Sequence, residues 1–311
     1  MTETELIAQL KPLLPTNDFV VNGAGDDCAV LELGSPDTQT LFKTDAVVEG
    51  IHFAADTDPE RVGRKALARC LSDIAAMGGT PTAAVVTLGL PRGFDPERVR
   101  ALYRGLNRLA AQHQVAVVGG ETTANPGAWL INVALLGTVP RGRALLRSGA
   151  KTGDALFVTG ELGGSLAGKH LDFEPRLAEG RWLVECGGIG AVMDLSDGLA
   201  SDLPKLLAAS EIGGAELHKS AVPISRDAKE RSRSSDLAKP SFVAAVTDGE
   251  DFELLFTVRP GHSVRVLDEW KARFPSVRLS CIGKLTDGPG IVVRDGARLQ
   301  PLPTRGYEHF A

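Results

Sequence analysis

Apolar residues recur at helical spacing between Pro59 and Met77. The positions on this stripe are Val62, Ala66, Cys70, Ile74 and Met77. Such a stripe is typical of a helix with one face against a core. Gly78, Gly79 and Pro81 follow and punctuate the end of the helix. The pattern therefore predicts a helix over 59–77 and places Arg61, Arg64, Lys65 and Ser72 away from its apolar face.

Shorter apolar runs alternate with other amphipathic stretches along the chain. Strands are predicted at 40–45, 83–90, 115–118, 129–139 and 155–159, and helices at 3–14, 96–114 and 199–210. The polar segment 225–239 is expected to be exposed. Strands alternating with helices are typical of α/β architecture. The run 129–139 is largely apolar, which favours a sheet covered on both faces or a subunit contact.

Glycines and basic residues dominate the segment from Pro140 to Asp154. We interpret it as the boundary between two domains, residues 1–140 and 141–311. Arg147 is placed to reach a nucleotide phosphate at this seam. For Arg141 and Arg143 taken singly, a solvated basic linker is the better explanation of the charge, because exposure is the default for arginine.

Composition and charge argue against some classes of binding partner. The chain has 311 residues, 43% of them hydrophobic, and carries 34 basic against 39 acidic residues, a formal net charge of -5. No continuous basic stripe is present, which argues against a nucleic-acid partner. No apolar run is long enough to span a bilayer, and the N-terminus lacks a signal-peptide pattern, so we expect no membrane partner and a cytoplasmic location. The scattered cysteines, Cys28, Cys70, Cys186 and Cys281, predict reduced and mostly buried thiols.

The stretch 193–200 places two acids and a hydroxyl inside an otherwise apolar run. Asp194, Ser196 and Asp197 precede Gly198 there. Buried carboxylates require a cation, several hydrogen bonds or protonation, and Mg²⁺ is the candidate cation. Taken alone, this motif favours the interpretation that Asp194 and Asp197 cap a turn or a following helix. Asp73 lies at the edge of the apolar face of the predicted helix, which makes it an inward-pointing carboxylate and the best single metal-ligand candidate.

Acids recur at other apparent strand ends. Asp27 follows a glycine turn, Asp45 closes the predicted strand 40–45, and Glu121 follows Gly119-Gly120. Glu250 and Asp251 lie at a further glycine turn and are candidate ligand or substrate contacts, whereas Glu253 could be structural.

Other polar and aromatic candidates have ordinary structural alternatives. His52 is interpreted as a partly buried histidine with at most a substrate-side role. His113 could be core or could touch a ligand at the end of its helix. Tyr307, in the aromatic C-terminal segment, could close over a substrate ring or tether the terminus.

A glycine-rich stretch at 163–170 fits GxxxxGK but is an incomplete phosphate loop. His170 stands where such a loop needs Ser or Thr to hold Mg²⁺. We therefore do not predict a nucleotide-binding P-loop here.

Taken together, six ordered motifs resemble the thiamine-monophosphate kinase family over essentially the whole chain. They are Gly25-Asp26-Asp27, Thr44-Asp45 with Glu49-Gly50-Ile51-His52-Phe53, Leu71-Ser72-Asp73-Ile74-Ala75-Ala76-Met77-Gly78, Gly119-Gly120-Glu121-Thr122, Asp194-Leu195-Ser196-Asp197-Gly198 and Gly249-Glu250-Asp251-Phe252-Glu253-Leu254. The resemblance implies the two-domain aminoimidazole ribonucleotide synthetase-like fold, α/β followed by α+β, with the N-terminal sheet pairing across a homodimer. It also implies an ATP-dependent enzyme that phosphorylates thiamine monophosphate to thiamine diphosphate over several Mg²⁺ ions.

Site residues carry over position by position from the resemblance. The implied metal set is Asp27, Thr44, Asp45, Asp73, Glu121, Asp194 and Asp197, with Asp197 nearest the chemistry and no residue acting as general base. The implied ATP contacts are His113, Gly120, Glu121, Arg147 and Ser196, and the implied thiamine phosphate contacts are His52, Glu250 and Tyr307.

The chain departs from the family pattern at two positions. Glu121 stands in place of Asp, and Lys43 stands in place of a small Ser. Lys43 could replace the charge of a cation or point away. A nucleotide-binding regulator that has lost catalysis through these two residues is therefore the alternative function. Another ATP-using member of the same fold, acting on a different acceptor, is a second alternative. A selenophosphate synthetase would require a reactive Cys or Sec near its N-terminus and the hydrogenase-maturation relative a C-terminal Cys, and neither is present here.

Overall fold

The computed structural model describes residues 3–234 and 238–303. The helices in these ranges are α1 (Glu3–Leu10), α2 (Pro59–Ala76), α3 (Pro96–Gln112), α4 (Lys169–Asp172), α5 (Leu177–Cys186), α6 (Leu199–Ala209), α7 (Arg226–Arg233), α8 (Ser241–Thr247) and α9 (Ser263–Arg273). The strands are β1 (Val20–Asn22), β2 (Ala29–Leu31), β3 (Thr38–Val48), β4 (Thr80–Leu90), β5 (Ala116–Ala124), β6 (Leu130–Pro140), β7 (Ala155–Thr159), β8 (Ile189–Asp194), β9 (Gly214–His218), β10 (Leu254–Val258), β11 (Leu279–Thr286), β12 (Gly290–Asp295) and β13 (Arg298–Pro301).

The first sheet has six strands in the order β1-β2-β3-β6-β4-β5. All neighbours are antiparallel except β4 and β5, which are parallel. Buried side chains of one face, such as Leu41 and Val133, pack with Ile74 of α2 and Leu106 of α3. Within the chain the opposite face has exposed apolar residues, including Phe42 and Leu136. The expectation that 129–139 is covered on both faces is therefore wrong for the single chain, because β6 alternates between buried and more open positions.

Helix α2 forms at the predicted place for local reasons. Its N-cap Asp58 accepts a hydrogen bond from the main-chain N–H of Glu60, and Pro59 supplies a fixed φ at the first position. The helix ends before Gly78, whose φ of 71° belongs to the left-handed region. The prediction that Lys65 and Ser72 lie away from the core is wrong, since both are buried.

The second sheet has seven strands in the order β13-β12-β9-β11-β7-β10-β8. Leu156, Val158 and Leu255 face a core shared with α6 and α8. The alternate residues Phe157 and Phe256 face a second core that contains residues of α5 and α9. Side chains alternate across a strand, so the strands β7, β8 and β10 are covered on both faces.

The two halves of the chain meet along α2. A Cβ added to Gly180 of α5 would lie 1.9 Å from the carbonyl oxygen of Ala75, so only glycine permits this approach of the two helices. Phe173 and Phe252 stack nearby with ring centroids 4.1 Å apart. The first sheet uses residues 20–140 and the second 155–301; the division into domains at residue 140 stays a prediction.

Two predicted strand ends are wrong. Strand β3 does not end at Asp45, because its pairing with β6 continues to Val48. Residues 115–118 are not a buried strand that runs into a glycine turn: β5 continues through Gly119 and Gly120 to Ala124 and is largely exposed. The reason is its position at the edge of the sheet, where it has a neighbour on one side alone.

The segment 225–239 is only partly the exposed stretch that was expected. Residues 226–233 form α7, and Ala228 of this helix is buried. The four cysteines are free thiols, three of them buried and Cys281 exposed, as predicted. Within the described residues, every helix is too short or too polar to cross a membrane.

Candidate active site

Three predicted acids from separate parts of the chain converge where the two halves meet. We call Asp27, Asp73 and Asp194 the carboxylate trio. One oxygen of each lies within 4.8 Å of the others, and the residues are 2%, 5% and 3% exposed. Asp27 precedes β2, Asp73 lies in the last turns of α2, and Asp194 ends β8. No other group of this kind occurs in residues 3–234 and 238–303.

Burial and repulsion by neighbouring carboxylates disfavour the charged forms of Asp73 and Asp194. Burial, with Asp27 next in importance, raises the pKa of Asp194 to about 7, although the Ser72 hydroxyl donates a hydrogen bond of 2.6 Å to it. Burial also raises the pKa of Asp73, against the opposing effect of Lys43. Buried carboxylates that repel one another in this way are the oxygen donors that a hard divalent cation prefers. The donor set therefore fits Mg²⁺.

Two basic side chains touch the trio. The Lys43 ammonium lies 3.2 Å from Asp73 Oδ1, and the Arg147 guanidinium lies 2.5 Å from Asp27 Oδ1. The main-chain N–H of Arg147 also donates to Asp26 Oδ1 at 2.6 Å. The seam residue Arg147 is thus fixed on the glycine turn that carries Asp27.

Thr44 and Asp45 lie outside the trio. Asp45 pairs with Arg69 of α2 at 3.2 Å, whereas the Thr44 hydroxyl donates to Asn132 Oδ1 on the neighbouring strand at 3.0 Å. Because alternate residues of β3 face opposite sides of the sheet, Lys43 and Asp45 face α2 and Thr44 cannot. A role for Thr44 or Asp45 as a metal ligand stays a prediction.

The 194–198 and 249–253 motifs lie side by side. Main-chain hydrogen bonds join Leu195 N–H to Glu253 O at 2.8 Å and Glu250 N–H to Ser196 O at 2.6 Å. A Cβ on Gly198 would lie 3.1 Å from the main-chain nitrogen of Gly249, so this glycine allows the two loops to approach. The Asp197 carboxylate receives a contact of 2.5 Å from Lys205.

Asp202 and Lys205 are site residues that the sequence argument missed. Asp202 is fully buried, accepts a hydrogen bond from the Asp197 N–H at 2.9 Å and pairs with Lys205 at 2.9 Å. Both lie on α6, three residues apart, and thus on one side of the helix. An acid and a lysine three residues apart, directly after the 194–198 motif, were the sequence signal that could have identified them.

The predicted substrate residues His52 and Glu250 are joined by Lys65, a lysine with 0% exposure. Its ammonium donates to Glu250 Oε2 at 2.7 Å and to the His52 carbonyl at 2.6 Å, and it lies 2.7 Å from His170 Nδ1. Burial favours the neutral carboxyl of Glu250, but His170 and Lys65 outweigh it and lower its pKa to about 2. Burial lowers the pKa of Lys65 to about 8 against the attraction of Glu250. Tyr307 lies outside the described residues.

The other predicted nucleotide contacts are not part of the trio. His113 caps α3, with its Nε2 3.2 Å from Glu174 Oε1. Glu121 is exposed on β5. At Gly120 a Cβ would lie 1.8 Å from the Val86 carbonyl oxygen, so close packing on β4 already requires glycine there. Their assignment to ATP stays a prediction.

The GxxxxGK stretch has a structural role in the molecule. Gly163 N–H donates to Asp251 Oδ1 and Gly164 N–H to Asp248 Oδ2, each at 2.9 Å. Lys169 pairs with the buried Glu253 at 2.9 Å. The donors that a phosphate loop would offer are thus directed at the protein's own carboxylates, and Glu253 is structural.

We expect Asp251→Asn to flatten the dependence of stability on pH. Burial raises the pKa of Asp251 to about 8, against about 4 in an unfolded chain. The folded state therefore binds this proton more tightly, and the resulting stability is present below pH ~4 and lost as the pH rises towards ~8, by up to about 1.4 kcal/mol per pH unit. Asparagine keeps an acceptor for Gly163 without the charge.

Urea unfolding between pH 5 and pH 8.5 checks this expectation. The variant should be the more stable protein at the upper end of the range. Asp268→Asn, at an exposed position of α9, is the matched control and should follow the wild type. Identical slopes for wild type and Asp251→Asn would contradict the expectation.

Comparison with known proteins identifies the class to which this architecture belongs. Residues 25–139 match the family of AIR synthase related proteins, N-terminal domain. The fold, with its carboxylates buried where the two halves of the chain meet, thus defines a protein of the AIR synthase-like class. The chain is 38% identical to the thiamine-monophosphate kinase of Rhodopirellula baltica, over 99% of this chain and 97% of that protein. It is 37% identical to the thiamine-monophosphate kinase of Escherichia coli K12, over 93% and 92%.

The chain therefore belongs to the thiamine-monophosphate kinase family. A solved structure of AaThiL complexed with AMPPCP and TMP has the same fold, with a TM-score of 0.81 and 29% sequence identity over 99% of this chain and 97% of that one. The predicted family and the AIR synthase-like fold are confirmed, whereas the pairing of the first sheet across a homodimer stays a prediction.

Proposed function

We propose that the protein transfers the γ-phosphoryl group of ATP directly to the phosphate of thiamine monophosphate, giving thiamine diphosphate and ADP. The observation that carries this proposal is the carboxylate trio, which lies buried at the meeting of the two halves. The family supports the choice of substrates, because the AaThiL structure holds an ATP analogue and TMP.

Asp27, Asp73 and Asp194 would hold Mg²⁺, with Asp197, Asp45, Thr44 and Glu121 as further predicted ligands. When bound, Mg²⁺ would neutralise phosphate charge and help to align donor and acceptor phosphates. Arg147 would bind a phosphate beside the trio. Its Nε atom is buried and has no hydrogen-bond partner among the described residues, so a phosphate anion beside it would accept the hydrogen bond that this N–H can donate.

The reaction requires no general base. A phosphate monoester is already anionic near neutral pH, so positioning and charge neutralisation dominate the chemistry. Asp197 lies on the turn after β8, three residues from Asp194, and is proposed to be nearest the transferred group. His52 and Glu250, held by Lys65, would orient the thiamine phosphate, with Tyr307 as a further predicted contact.

We further propose a homodimer formed through the first sheet. In the single chain this sheet leaves large apolar side chains exposed, including Phe42, Val85 and Val118. Exposed apolar surface beside a strand edge is typical of a subunit interface. The cytoplasm is the expected compartment, because the proposed reaction consumes ATP.

Product formation tests the function. The purified protein is incubated with ATP, Mg²⁺ and thiamine monophosphate, and thiamine mono- and diphosphate are separated; free thiamine serves as the control acceptor. We expect Mg²⁺-dependent diphosphate from the monophosphate alone. A labelled phosphoprotein, formed with γ-labelled ATP and chased into product, would contradict direct transfer.

The regulator alternative makes a different prediction in the same assay. Lys43 forms an ion pair with Asp73 of the trio, which is the observation in its favour. A regulator would bind ATP without turnover and gain thiamine diphosphate formation on Lys43→Ser with Glu121→Asp. Turnover by the wild type excludes it.

A further inference from the structure

Lys43 introduces a fixed positive charge into the carboxylate trio. Its ammonium lies 3.2 Å from Asp73 Oδ1, and 24% of its side chain is exposed. The residue lies in the middle of β3, on the face that packs against α2. The lysine therefore approaches the trio from a rigid strand.

The other carboxylate on this face of β3 does not explain why a lysine stands at position 43. Asp45, two residues along the same face of β3, already pairs with Arg69 at 3.2 Å. Among the described residues, Asp73 forms its ion pair with Lys43. The charge of Lys43 is thus directed at the trio.

The charges of the trio are compensated unequally. Arg147 contacts Asp27 and Lys43 contacts Asp73, whereas Asp194 receives the neutral hydroxyl of Ser72. Two of the three carboxylates therefore have a cationic partner from the protein itself. An ammonium cannot coordinate a metal, and it repels a divalent ion that approaches the same carboxylate oxygen.

We propose that Lys43 is a built-in cation that takes the place of one divalent ion at Asp73. With a neutral residue at position 43, the same carboxylates would bind one more ion per chain. This inference rests on the proposed function in so far as the trio is taken as the metal site of phosphoryl transfer.

Counting bound Mn²⁺ tests the proposal without reference to turnover. Mn²⁺ binding is measured by equilibrium dialysis and by the electron paramagnetic resonance signal of the free ion, with and without saturating AMPPCP. The proteins are wild type, Lys43→Ser, Lys43→Met, Lys43→Arg and the control Lys229→Ser at an exposed position of α7. We expect the serine and methionine variants to bind about one more ion per chain, and the arginine and control variants to match the wild type.

Two neutral variants keep the test decisive. Methionine preserves the apolar stem, so it serves if the serine variant does not fold. Equal Mn²⁺ counts in wild type and the folded neutral variants would overturn the proposal, as would an additional ion in Lys43→Arg.

The proposed function and this inference can fail separately. The neutral variants could bind more Mn²⁺ than the wild type while the wild type makes no thiamine diphosphate. This result would support the built-in cation and reject the kinase. Thiamine diphosphate formation by the wild type, with equal Mn²⁺ counts in wild type and neutral variants, would support the kinase and reject the built-in cation.

Discussion

Replacing Asp194 by asparagine is expected to reduce thiamine diphosphate formation by about 1,000-fold or more while the protein stays folded. Loss of one ligand from a metal-assisted phosphoryl-transfer site removes several kcal/mol of transition-state stabilisation, and about 4 kcal/mol corresponds to that factor. Asparagine has the same shape and can still accept the hydrogen bond from Ser72. The variant thus removes the charge and changes little else.

The same variant should behave differently from wild type in thermal unfolding. Without metal it should be at least as stable, because a repelling buried carboxylate is gone. With Mg²⁺ the wild type should gain stability by binding, and the variant should gain less.

Steady-state kinetics and melting curves with and without Mg²⁺ check both expectations for Asp194→Asn. Glu97→Gln, at an exposed position of α3, is the matched control and should show wild-type values. More than about a tenth of wild-type activity in Asp194→Asn would contradict a metal-ligand role.

Replacing Lys65 by methionine is expected to lower the free energy of unfolding by about 3–5 kcal/mol. The variant leaves the Glu250 carboxylate without its buried ammonium partner at 2.7 Å. Lys65 also donates to the His52 carbonyl and lies beside His170, so α2, α4 and the 249–253 motif lose a shared contact.

A double-mutant comparison separates the charge from the packing. Lys65→Met with Glu250→Gln should recover a large part of the loss, because the uncompensated charge is removed. Arg104→Met, which breaks a more exposed ion pair with Glu60, is the control and should cost about 1 kcal/mol or less. Chemical denaturation of wild type, Lys65→Met, the double variant and Arg104→Met gives the four free energies of unfolding. A double variant no more stable than Lys65→Met would contradict the expected recovery.

The structure changes the interpretation of several motif residues. Glycines at 120 and 198 have packing reasons to be glycine, since a Cβ at either would approach main-chain atoms of a neighbouring segment. The acids Asp248, Asp251 and Glu253 bind loop N–H groups or basic side chains within the protein. A motif that identifies the family thus combines groups that support the site with groups that form it.

Local sequence patterns determined several of the elements and the inward direction of Asp73. The helix over 59–77 followed from apolar periodicity and end signals, and β7 was predicted at its observed bounds of 155–159. Such features depend on neighbours a few residues away, which the sequence displays directly. The ordered motifs further identified the family.

Contacts between distant segments were decided by the tertiary structure alone. Lys65 was assigned to the polar side of α2, yet α4 and the 249–253 motif bury it completely. β5 was expected to be buried because its run is apolar, but its edge position leaves it exposed. Lys43 could have pointed either way, and the packing of β3 on α2 directs it at Asp73. A linear pattern contains the residue types, whereas burial and pairing depend on which surfaces the fold brings together.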